Sequence, residues 1–118
     1  KDAKDLPLNA RNFINQYFSK PQISYIKIDS EFLSKKYEVT LTDRTEIDFD
    51  KKGNWTEVDC KKGAVPAALI PASIKDYVKK NFPNEIITKI ERKGIEVELA
   101  NDFSLKFNKK GQFVSMDD

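Results

Sequence analysis

The sequence predicts an α+β fold in which two tandem helix-plus-four-strand repeats form one continuous antiparallel sheet with both helices packed on one face. Three observations predict it. An apolar stripe at helical spacing occurs twice, each time behind a proline. Short segments of alternating apolar and polar residues follow each stripe. Two stretches match between the copies, Leu6–Phe18 with Ile70–Phe82 and Tyr37–Gly53 with Ile95–Gly111.

The helices come first in each copy. Leu6 to Phe18 reads LPLNARNFINQYF, and Ile70 to Phe82 reads IPASIKDYVKKNF. Ala10, Phe13, Ile14, Tyr17 and Phe18 recur at intervals of three and four, as do Ile74, Tyr77, Val78 and Phe82. Pro7 and Pro71 suit the first turn, where a missing N–H costs nothing. Pro21 and Pro83 lie where a helix has to stop.

Four strands follow each helix. Ile23 to Ile28 and Ile86 to Ile90 are rich in β-branched residues. Tyr37 to Thr42 alternates, as does Ile95 to Leu99. Thr45 to Asp50 and Phe103 to Asn108 alternate again, and the last strands run over Trp55 to Val58 and Phe113 to Met116. A period of two means one buried and one wet face. Asp43-Arg44 and Asn101-Asp102 suit tight hairpins. Lys51-Lys52-Gly53 and Lys109-Lys110-Gly111 suit turns that end on a left-handed glycine. The whole chain, 1–118, is expected to be a single domain. Repeat one covers about 6–59, a connector about 60–69, and repeat two about 70–117. The first copy carries extra residues around Asp29 to Ser34.

The wet face would carry Glu38, Thr40, Thr42, Glu46, Asp48, Glu96, Glu98 and Lys106. Of these, Glu38, Thr40, Thr42, Asp48, Glu96, Glu98 and Lys106 are the candidate binding face. Trp55 has two readings. A bulge after Gly53 pairs Phe49 with Trp55 and turns the indole inward; a four-residue loop shifts the register and turns it outward. If exposed, Trp55 and Phe113 are candidate aromatic anchors for a partner.

Composition narrows the chemistry. The chain has 21 basic and 19 acidic residues, net +2, and its lysine pairs are scattered among acids. That pattern is a solvated surface, not a nucleic-acid face. No apolar run is long enough for a membrane span. The chain opens on Lys1, the expectation for a processed or trimmed product. Without histidine it lacks the commonest general base and metal ligand. Cys60 is the single cysteine, so it has neither an activating histidine nor a zinc-binding companion. Glu96 and Glu98 share a face and could in principle run acid–base chemistry, but any solvated strand shows that alternation. No catalytic residue, metal or cofactor is expected.

The motifs LP…FI..YF over Leu6–Phe18, YEV.L over Tyr37–Leu41, I.FD..G.W.EV over Ile47–Val58 and IP…I..YV…FP over Ile70–Pro83 resemble the PepSY-like, β-lactamase-inhibitor-like family of Gram-negative bacteria. The resemblance spans both repeats. It implies secretion to the periplasm or beyond, and a fold similar to β-lactamase inhibitory protein whose sheet presents a concave face to a partner. PepSY domains proper are linked to protease inhibition. The expected function is therefore a non-enzymatic extracytoplasmic module that binds a protein or peptide partner on its open sheet face. The alternatives are an inhibitor of a secreted hydrolase and a small-ligand or envelope-sensing module with an apolar pocket between sheet and helices.

Overall fold

The computed structural model describes residues 3–31 and 34–118. The first half contains helix α1 (Leu8–Tyr17) and strands β1 (Ile23–Glu31), β2 (Ser34–Leu41), β3 (Glu46–Asp50) and β4 (Trp55–Asp59). The second contains α2 (Ala72–Asn81), β5 (Ile87–Glu91), β6 (Glu96–Leu99), β7 (Ser104–Phe107) and β8 (Phe113–Asp117). Single 3-10 turns, absent from the sequence expectation, lie at Ala3–Asp5 and Ala67–Leu69. The strands form an eight-stranded antiparallel sheet in the order β1 to β8. By compactness the chain divides into Lys1–Val58 and Asp59–Asp118.

Each proline sits at the N-cap, one position before its helix and beside the first turn, as the sequence suggests. Pro7 has ψ 150° and Pro71 ψ 144°, both extended. Their carbonyls accept the first helical bonds, from Arg11 N–H and Lys75 N–H, both at 3.1 Å. Neither helix has a side-chain cap at this end. Their stability therefore rests on the packed face, as expected for helices this short.

That face is the predicted one. In the first unit α1 buries Ala10 and Ile14, and Phe13 meets Phe49 edge-on at 5.7 Å. Ile26, Val39, Leu41, Ile47, Phe49 and Val58 complete the core. In the second unit α2 buries Ile74 and Val78, and Tyr77 meets Phe107 edge-on at 5.5 Å. Ile90, Val97, Leu99, Leu105 and Phe107 are buried there. Phe18 is buried too, whereas its counterpart Phe82 is only half-buried, against Phe103. The apolar stripe is thus less completely covered at Phe82 than at Phe18.

The hairpin turns repeat in atomic detail. Gly53 N–H donates to Asp50 O, and Asp50 Oδ1 accepts from Lys52 N–H and Asn54 N–H. Gly111 N–H donates to Asn108 O, and Asn108 Oδ1 accepts from Lys110 N–H and Gln112 N–H. Both glycines are left-handed, φ 86° and 81°. This is the three-residue loop that ends in a glycine bulge. It pairs Phe107 with Phe113, with a register shift beside them.

The extra residues of the first copy lengthen one hairpin. Pairs Ile28–Tyr37, Asp29–Lys36, Ser30–Lys35 and Glu31–Ser34 extend β1 and β2 beyond the point where β5 and β6 stop at Glu91–Glu96. Phe32 and Leu33, within that predicted extra segment, lie outside the described residues.

Candidate functional site

Burial of Ile26, Val39 and Ile47 on one face forces their neighbours onto the other. The register then sets two rows across the first unit: Tyr25–Thr40–Glu46 and Lys27–Glu38–Asp48. These six residues, with Val39, line a shallow cavity of about 170 Å³. Tyr25 is 57% exposed, so its ring projects from the face. Glu38 lies 3.8 Å from Lys36 Nζ, and Thr56 Oγ1 donates to Asp48 O at 3.3 Å.

The structure thus brings together Glu38, Thr40 and Asp48 from the predicted face. Thr42 is not among the lining residues: it is exposed at the strand end, where its hydroxyl accepts Gln22 N–H at 3.1 Å. In the second unit the rows are Lys89–Glu98–Ser104 and Glu91–Glu96–Lys106. Glu98 pairs with Lys89 at 3.6 Å, and Lys106 is exposed opposite Glu96. Tyr25 and Lys27 line the cavity without having been placed on the wet face from sequence, and Glu46, placed on that face, was not among the candidate binding residues. The signal was available: with Ile26 in the core, its two neighbours must face outward. A register shift between Ile23 and Tyr25 obscures that alternation in the run from Ile23 to Ile28.

Trp55 takes the inward register. Its ring stacks on Phe13 at 6.0 Å and 25°, and it is half-buried. Phe113 stacks on Tyr77 at 4.8 Å and 9° but stays 40% exposed. The two candidate anchors therefore differ: Trp55 belongs to the helix packing, and Phe113 retains an open side.

A second concavity lies within the second unit. The connector runs along β5, with Cys60 N–H donating to Thr88 O and Val65 N–H to Ile87 O, both at 2.8 Å. Between it and α2 opens a groove of about 260 Å³, lined by residues including Val65, Ile70, Val78 and Ile86, with Lys75 and Lys79 also contributing. Among the described residues no group of three His, Cys, Asp or Glu side chains is placed to hold a metal. No described helix is long and apolar enough to cross a membrane.

Residues 35–115 match the family model described as "Putative beta-lactamase-inhibitor-like, PepSY-like". Three crystal structures superimpose over the full chain. One, from Bacteroides thetaiotaomicron, is described as a "putative calcium-regulated periplasmic protein": 43% identity, TM-score 0.95, covering 100% of this chain and 94% of that one. A second, from Bacteroides vulgatus, is a "putative periplasmic protein of unknown function": 38% identity, TM-score 0.95, covering 100% and 96%. A third, also from Bacteroides vulgatus, is a "putative periplasmic protein" of the DUF2874 family: 37% identity, TM-score 0.94, covering 100% and 94%. No curated protein matches the chain.

Proposed function

Because the chain belongs to the PepSY-like family, we propose that it is a non-enzymatic module, working in the periplasm or otherwise outside the cytoplasm, that presents its open sheet face to a protein or peptide partner. The observation that carries this reading is the cavity beside Tyr25. At about 170 Å³ it is smaller than the usual small-molecule site. It is sized for a side chain. Tyrosine is among the residues that dominate interface energies, because it buries a large ring at low entropic cost. Glu38, Glu46 and Asp48 outnumber Lys27 around the cavity, which favours a basic side chain from the partner.

The test compares capture from an envelope extract by wild type, Tyr25→Ala and Thr40→Arg. Loss of the same captured protein in both variants supports the reading; unchanged capture removes the sheet face as the site. A narrower form, inhibition of a secreted hydrolase, follows from the family's description. Titration against β-lactamases and envelope proteases decides it, and it fails if no enzyme in the panel is inhibited.

A second reading rests on the groove between the connector and α2. A small apolar ligand there would raise the melting temperature, and Ile86→Asp would abolish the rise. A ligand-induced shift that ignores Ile86→Asp counts against this groove.

A further inference from the structure

Resting on the reading of the groove between the connector and α2 as a small-ligand site, we propose that its ligand is a single-chain alkyl carboxylate. The tail lies along the apolar lining, and the head sits between Lys75 and Lys79. At about 260 Å³ the groove falls just short of the usual small-molecule range of about 300–1,000 Å³. One alkyl chain suits that space; the paired chains of a diacyl lipid do not.

The first unit shows what the fold itself requires here. Val65, Ile70 and Val78 line the groove and are buried, whereas Ile86 lines it and stays 43% exposed. The counterpart of Ile86 is Gln22. Gln22 O accepts Thr42 N–H at 2.8 Å, as Ile86 O accepts Ala100 N–H at 3.0 Å. Both residues precede the same register shift. Gln22 is exposed, so the shared fold does not demand an apolar side chain at this position. Isoleucine there leaves apolar surface in water until a ligand covers it.

Charge selects the head group. Lys75 and Lys79 both line the groove and are exposed. They stand about one helical turn apart, roughly 6 Å along the axis. Among the described residues neither ammonium group has an ion-pair partner. Lysine stems cover apolar surface while their charged ends stay in water, so the pair sets two cations on the rim of an apolar trough. Lys79, in the last turn, also suits the helix dipole, but Lys75 lies nearer the N-terminal end and gains nothing from it. The first unit has Arg11 and Asn15 at these two positions. Of the described lining residues only Glu85 is acidic, and it follows the end of α2. That sets the ligand's direction: head towards Lys75 and Lys79, tail towards Ile86.

Isothermal titration calorimetry of the full chain with octanoate, butanoate and 1-octanol at low ionic strength is the test, with circular dichroism to check that each variant stays folded. Octanoate should bind tightest. 1-Octanol, which the two cations do not attract, should bind about three- to tenfold more weakly. Butanoate, four methylenes shorter, should bind at least about tenfold more weakly than octanoate. Lys75→Gln with Lys79→Gln should bring octanoate down to the 1-octanol affinity and leave 1-octanol unchanged. Ile86→Gln, which installs the residue type of the first unit, should weaken both eight-carbon probes. 1-Octanol binding as tightly as octanoate, or octanoate indifferent to the double lysine substitution, overturns the carboxylate assignment and leaves the groove standing as a small-ligand site. Binding of octanoate and 1-octanol that ignores Ile86→Gln, or no binding of any probe, overturns both.

Discussion

In the first unit Phe13 stands edge-on to Phe49 and stacks on Trp55; in the second Tyr77 stands edge-on to Phe107 and stacks on Phe113. Turn glycines, helix ends and the register shift after the helix repeat with the same fidelity. The units part company where packing makes no demand. The β1–β2 hairpin is longer than β5–β6, β4 is interior to the strand order while β8 is terminal, and Tyr25 stands where the second unit has Lys89. Duplication has conserved what each core requires. The wet face was left open to change, and the leading binding proposal falls there.

The largest expected effects test the shared core. Phe49 and Phe107 are 0% and 2% exposed, so Phe49→Ala and Phe107→Ala should each cost about 3–5 kcal/mol in urea unfolding. A cost below about 1 kcal/mol at either would break the equivalence of the units. Phe18→Ala and Phe82→Ala should differ instead. Phe18 is 8% exposed and Phe82 only half-buried, so the first should approach about 3 kcal/mol and the second fall clearly below it.

The glycines sharpen the comparison next. A Cβ on Gly53 would lie 2.1 Å from Asn9 Oδ1 and 2.7 Å from Pro7 Cβ, a ring atom that cannot rotate away. A Cβ on Gly111 would lie 2.1 Å from Ser73 Oγ and 3.2 Å from Ser73 Cβ, and the hydroxyl can move. Both substitutions meet the left-handed penalty of about 1–2 kcal/mol. Gly53→Ala should therefore cost more than Gly111→Ala in thermal melts. Equal costs would mean that backbone conformation alone sets the price at both turns.

Most of the fold was legible because its determinants are local or periodic. Apolar spacing placed α1 and α2, alternation placed the strands, and Lys-Lys-Gly placed the glycine bulges that turned Trp55 inward. Less of the candidate site was legible. Glu38, Thr40 and Asp48 were found because β2 and β3 alternate cleanly. Tyr25 and Lys27 were not, because a register shift separates Ile23 from Tyr25. Exposure along β8 was also hidden, since Phe113–Met116 reads as a strand like Trp55–Val58. Whether such a strand is covered depends on its neighbours, which no local pattern encodes. Phe82 fell short of the core for the same reason.

The smallest expected effect lies on the wet face. Lys89 and Glu98 are cross-strand partners with their charged groups 3.6 Å apart, their side chains 29% and 40% exposed. Lys36 and Glu38 lie on one strand at 3.8 Å, with Lys36 52% exposed. Partly exposed pairs contribute about 0–1 kcal/mol, and salt screens them. Cross-strand geometry holds its partners opposite each other, so Lys89→Ala should cost about 0.5 kcal/mol at low ionic strength, with most of the effect lost at high salt. Lys36→Ala should stay within about 0.3 kcal/mol of wild type under both conditions. A reversed order would mean that ion pairing in the first unit, beside the Tyr25 cavity, is the more strongly organised of the two. It would then be a structural element of that face, not a group free to meet a partner.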